Sequence, residues 1–162
     1  MRTGTTILFE LMAQDPSNRT PASWEVARPV PPPVESQYTA DRRIRLTELH
    51  LSIAERLSPG FRAIHAIGAR LPQECVYLFS SNFMSEQFGY MYHIPAYRRW
   101  LLEQPMAETY RWHHDFLQHL QSGFERERWV LKTPSHLAFL DDLFACYPDA
   151  GVVWTHREPA PS

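Results

Sequence analysis

Two short apolar runs, Arg128 to Lys132 and Val152 to Thr155, flank a helical stretch from Ser135 to Cys146, and no other feature restricts the fold as strongly. Each run is bounded by charge, proline or glycine and has the length of a buried strand. Strand, helix and strand within about 30 residues form a βαβ unit, whose strands run parallel and are joined by a right-handed crossover. The expected fold class is therefore α/β, with a parallel sheet. Lys132 and Arg157 then stand at the carboxyl ends of their strands, the edge at which open α/β sheets bind ligands.

The opening residues supply a third element for that edge. Arg2, Thr3, Gly4, Thr5 and Thr6 run straight into the apolar, helix-forming segment Ile7 to Met12. A small hydroxyl-rich loop feeding a helix leaves unpaired N–H groups and a positive dipole end where a phosphate or sulfate can sit. The same pattern also caps an ordinary helix. The basic stretches at Val130 to Pro134 and Thr155 to Pro159 tip the reading toward an anion cradle. No strand precedes the loop, as expected of a domain that lacks its first strand.

The remaining sequence reads as mostly helical insertions. The first helix is expected over Thr5 to Gln14, ending ahead of Pro16. Ser17 to Pro33 reads as loop, with a short turn or helix at Ser23 to Ala27 and a stiff proline-rich connection at Pro29 to Pro33. Leu46, Leu49, Ile53 and Leu57 recur at three and four residues and predict the apolar face of one long helix. Met106, Tyr110, His113, Leu117 and Leu120 predict a second, stopped by Gly123. Shorter helices are expected at Pro72 to Ser81 and Tyr97 to Leu102. Phe83 to Pro95, aromatic and Met-rich, suits core filling or the wall of a substrate pocket. In the helix after Lys132, Leu137, Leu140 and Phe144 are expected to face inward.

With 162 residues, 44% of them apolar, the chain has enough material for a single core. A formal charge of −2 supplies no field for nucleic acid, so anion binding must be local. Cys75 and Cys146 form no CxxC pair and are too few for a disulfide framework, which favours a reducing, cytoplasmic setting. No apolar run reaches membrane-spanning length. His113, His114 and His119 share a helix without the spacing of a metal pair, so no metal site is expected. Among 16 basic residues Lys132 is the sole lysine.

Together, Arg2-Thr3-Gly4-Thr5-Thr6, Trp24-Glu25-Val26 with its proline-rich sequel, Trp129 to Leu137, and Trp154-Thr155-His156-Arg157-Glu158-Pro159 resemble the sulfotransferases that use 3′-phosphoadenosine 5′-phosphosulfate (PAPS). The likeness is to the bacterial branch related to tyrosylprotein sulfotransferases. It implies a P-loop-like α/β fold, one partial domain over residues 1–162, and PAPS as co-substrate without a metal. By the same resemblance Arg2 to Thr6 corresponds to the 5′-phosphosulfate loop, Lys132 to the lysine that reaches the sulfonate, and Arg157 to the arginine on the 3′-phosphate. A serine that the family places further along the Arg157 segment has no counterpart before Ser162.

For the general base the resemblance selects Glu25, with His136 as the rival imidazole. The implied activity is sulfonate transfer to a hydroxyl or amine of a small-molecule or peptide acceptor, with Arg2 and Lys132 stabilising developing charge. Two alternatives remain open. One is a noncatalytic fragment that binds nucleotide at most, and the other is a helical module recruiting partners through Pro29 to Pro33. An incomplete sheet would leave an edge for a second copy of the chain.

Overall fold

The computed structural model describes residues 3–60 and 66–156. Helix α1, Thr5–Met12, starts at Gly4, whose φ of 85° lies in the left-handed region that glycine enters without strain. The chain then passes through β1, Asn18–Arg19, and the short helix α2, Ser23–Ala27. Helix α3 spans Arg42–Leu57 and α4 Cys75–Ser80, followed by α5, Gln87–Met91, and α6, Pro95–Leu102. Helix α7, Ala107–Gln121, leads to β2, Arg128–Trp129. A 3-10 turn, Pro134–Ala138, and helix α8, Leu140–Cys146, complete the order.

Helix α7 is the central element. Its predicted stripe of Met106, Tyr110, His113, Leu117 and Leu120 is wholly buried, because the three-four spacing keeps all five side chains on one face. One core cluster joins Met106 and Tyr110 to Cys75 and Phe79 of α4 and Leu143 of α8. A second packs Trp24 and Ala22 against Ile44 of α3 and Ala69. At the end of α7 a Cβ on Gly123 would lie 2.6 Å from the Pro33 carbonyl oxygen. Gly123 therefore permits a close approach, and its own carbonyl accepts from the Glu35 N–H at 2.9 Å. His119 Nε2 reaches the Pro29 carbonyl at 2.8 Å. The proline run is thus a stiff connection laid on α7.

The parallel sheet is present, but its pairing differs from the predicted βαβ unit. β2 pairs with β1, Asn18 opposite Arg128 and Arg19 opposite Trp129, in a stretch expected to be loop. Residues 152–155 form no strand, and Val153 and Trp154 are exposed. A β-branched run becomes a strand only when it pairs, and this one pairs with neither strand of the two-stranded sheet. The stretch after Lys132 divides into the 3-10 turn and α8, and Leu143 is buried where Leu137 and Phe144 had been expected.

Helix α3 also turns differently from its periodicity. Leu46, Leu49, Ile53 and Leu57 are exposed, while Arg43, Ile44 and Thr47 face the core. Arg43 fixes this rotation. Its guanidinium donates to Asp41 and to the carbonyls of Arg28 and Pro31, and lies 4.7 Å from the Trp24 ring centroid. A fork with that many partners outweighs the burial of a few leucines on a helix surface. Among the described residues no helix is long and apolar enough to cross a membrane.

Candidate functional site

The loop Thr3–Thr6 opens α1 without a side-chain cap and without an acidic residue in the first turn. The Gly4 carbonyl accepts from the Leu8 N–H at 3.1 Å, which sets the first helical turn and leaves the N–H groups ahead of it without an intrahelical acceptor. Such an end, with its dipole uncompensated, is suited to an anion.

Lys132 meets this loop from 126 residues away. Its Nζ donates to Thr6 Oγ1 at 3.2 Å and to Glu74 Oε1 at 2.6 Å. The backbone reinforces the junction, since the Cys75 N–H donates to the Lys132 carbonyl at 2.9 Å, so the start of α4 is tied to the chain beyond β2. Thr155 reaches the other side of the loop, with Oγ1 2.9 Å from Thr3 Oγ1. The three stretches singled out in the sequence therefore converge on one place. Arg2 and Arg157 lie outside the described residues.

Glu74 is the participant that sequence reading missed. It stands at the N-cap of α4, and its side chain, like that of Lys132, is 16% exposed. The only local signal was an acidic residue ahead of an apolar helix after Pro72, and nothing near it points to Lys132.

Glu25 is placed quite differently. It is completely buried, and both oxygens engage the Arg19 guanidinium. Oε2 also accepts from the Tyr38 hydroxyl at 3.1 Å and from the Ala22 N–H at 2.7 Å. The Arg19 guanidinium lies 4.5 Å from the Phe124 ring centroid and 4.9 Å from that of Trp129. Such a carboxylate fastens β1, α2 and the chain entering β2, and it could reach an acceptor only by leaving Arg19.

His136 belongs to an aromatic core. Its Nδ1 is 2.8 Å from the Tyr110 hydroxyl, and burial pushes the imidazole down to about 4. His113 pairs through Nδ1 with the Tyr147 hydroxyl at 2.7 Å, and burial, with His136 and His114 nearby, pushes it down to about 3. Both cysteines are free, and burial pushes the Cys75 thiol up to about 12. Among the described residues no group of His, Cys, Asp and Glu could hold a metal ion.

The family model described as the sulfotransferase family matches residues 1–162. The chain belongs to the sulfotransferase family. The solved structure of sulfotransferase STF1 from Mycobacterium tuberculosis is 34% identical and superposes with a TM-score of 0.84, covering 97% of this chain and 43% of that one. Sulfotransferase STF9 from Mycobacterium avium is 29% identical, with a TM-score of 0.81, over 97% of this chain and 41% of that one. No curated protein matches. This sulfotransferase-family chain thus spans less than half the length of either solved relative.

Proposed function

We propose that this chain binds the 5′-phosphosulfate end of PAPS on the Thr3–Thr6 loop and promotes sulfonate transfer to a hydroxyl of a small-molecule or peptide acceptor. The observation that carries the reading is Lys132 Nζ, held between Thr6 at the uncapped start of α1 and the Glu74 carboxylate. The donor would supply an activated sulfonate with a phosphate leaving group. The first N–H groups of α1 and the hydroxyls of Thr5 and Thr6 hold the anion. Lys132, joined by Arg2, places positive charge against the oxygen that becomes negative as the bond to sulfur breaks. Arg157 suits the 3′-phosphate through its two-pronged donor geometry.

We assign proton acceptance to Glu74 in preference to Glu25. Glu74 already touches the cation that must face the sulfonate, whereas the oxygens of Glu25 are taken up by Arg19, Tyr38 and the Ala22 N–H. Accepting the acceptor's proton as its oxygen attacks is worth about 10²- to 10⁴-fold.

Calorimetric titration with adenosine 3′,5′-bisphosphate tests the binding half. Micromolar affinity, lost in Arg157→Ala and weakened in Lys132→Ala, is expected, and the absence of heat at millimolar nucleotide would overturn it. Transfer from PAPS tests the chemical half. The coverage of 43% and 41% of the solved relatives favours one second reading, a fragment that binds nucleotide without catalysis. Binding without transfer would select it.

A further inference from the structure

A second carboxylate, outside the pair at the site, holds the segment that carries Lys132. Glu86 stands at the N-cap of α5 and is half-buried. Its Oε2 accepts from the Ser135 hydroxyl at 2.7 Å and from the Tyr90 hydroxyl at 3.2 Å. Ser135 is 4% exposed and lies in the 3-10 turn just beyond Lys132, which Thr133 caps by accepting the Ser135 N–H at 3.4 Å. A hydroxyl donating to a carboxylate makes a charge-assisted bond, roughly twice as strong as a neutral one. Glu86 therefore pins the turn where the chain leaves Lys132.

This contact closes a circuit around the site. Ser85, beside Glu86, is buried, and its hydroxyl donates to the Val76 carbonyl of α4 while accepting from the Gln87 N–H at 3.1 Å. Helix α4 has Glu74 at its N-cap, and its Cys75 N–H donates to the Lys132 carbonyl. The Lys132 backbone is thus held by α4 on one side and, through Ser135, by Glu86 on the other, with Ser85 tying α4 to the start of α5. The Tyr90 phenol reports how near the two carboxylates lie, since burial pushes it up, Glu86 adds to the shift and Glu74 adds again. The ammonium itself ends a flexible four-carbon stem. Where it can rest follows from where its backbone is fixed.

We propose that Glu86 is a positioning residue for Lys132: by holding Ser135 it fixes the turn after Lys132 and keeps the ammonium at the junction of Thr6 and Glu74. The proposal rests on the transfer reading above, in which that ammonium faces the sulfonate. Glu86 touches neither donor nor acceptor in this assignment and carries no proton. Misplacing a charge-stabilising group by about 1 Å costs up to about 10²-fold in rate, so loosening the turn acts on kcat more than on KM.

The test uses the fact that Lys132 is the sole lysine of the chain. Protein made with isotope-labelled lysine gives one side-chain signal, which reports the ammonium without any need for activity. The wild-type signal should stand apart from that of free lysine, move to the free position in Glu86→Ala, and stay in Glu86→Gln, whose amide oxygen still accepts from Ser135. Ser135→Ala removes the other half of the contact and should match Glu86→Ala, so it carries the same reading if the Glu86 variant fails to fold. Urea midpoints identify the folded variants. A merely structural role would move the midpoint and leave the lysine signal in place. Wild-type-like signals in the folded alanine variants, a wild-type signal already at the free position, or a glutamine variant as loose as the alanine one overturns the proposal.

With PAPS as donor, Glu86→Ala should lower kcat by about 10- to 100-fold. In a Lys132→Ala background it should lower kcat no further, because a residue that acts through Lys132 has nothing left to position. The full loss repeated in that background overturns the proposal. Absence of nucleotide binding and of transfer in the wild-type chain sinks the transfer reading, whereas transfer with an unmoved lysine signal sinks this inference alone.

Discussion

Two acid–base pairs in this chain use the same chemistry for opposite ends. Arg19 and Glu25 are sealed, with 3% and 0% of their side chains exposed, and aromatic rings and two further donors complete their surroundings. Lys132 and Glu74 each keep 16% of the side chain exposed, at the mouth of an uncapped helix, and their remaining neighbour is a threonine hydroxyl. A carboxylate whose oxygens are all occupied inside the core holds elements together. One with an open side next to a partly exposed ammonium can exchange a partner for a ligand. A sequence motif that contains a glutamate does not say which kind it is.

The largest expected effect breaks the sealed pair. Glu25→Ala leaves the Arg19 guanidinium buried without a counterion and should cost about 3–5 kcal/mol, read as a fall in the urea midpoint. Glu74→Gln should act on rate and spare the fold, lowering sulfonate transfer by about 10²- to 10⁴-fold while the urea midpoint moves by less than the Glu25 variant moves it. If Glu25→Gln retained the wild-type midpoint and lost transfer instead, the two roles would have to be exchanged.

Acid gives the next effect, through two buried histidines. His113 and His136 are neutral in the folded protein down to about 3 and about 4, whereas the unfolded chain takes up these protons from about 6.5 downward. The unfolded state binds more protons across that interval, so stability falls as pH is lowered from about 6.5 toward 4. Denaturation midpoints at pH 7 and pH 5 check this, and replacing His113 by Asn should flatten the dependence. Smaller still, Tyr38→Phe removes one donor from Glu25 and should cost about 1 kcal/mol. Thr6→Val, at the open pair, should leave the melting temperature in place and weaken nucleotide binding by less than about tenfold, as loss of a single neutral hydrogen bond does.

The sequence was readable where one physical requirement governed a stretch. The stripe on α7 follows from helix period alone, and Gly4 at the start of α1 follows from the backbone that a tight loop-to-helix junction needs. The α3 stripe misled because the hydrophobic period ranks leucines and ignores a guanidinium with several fixed partners, and Arg43 set the rotation. Val152 to Thr155 misled because strand propensity says nothing about which segment supplies the partner, and β2 pairs with Asn18–Arg19. In the proposed site, the loop and Lys132 could be singled out because charge and helix polarity are written locally. Glu74 could not, since its meaning depends on a lysine 58 residues further along.

The hydroxyl contact between Thr3 and Thr155 joins residues separated by 152 positions. With the Lys132–Thr6 contact it ties the start of α1 to two stretches far along the chain. An anion gripped by both sides of that junction would act as a reversible cross-link, transmitting its binding energy to the chain between them. Slower amide exchange on addition of adenosine 3′,5′-bisphosphate should then appear in α7, far along the chain from Thr3 and from Thr155.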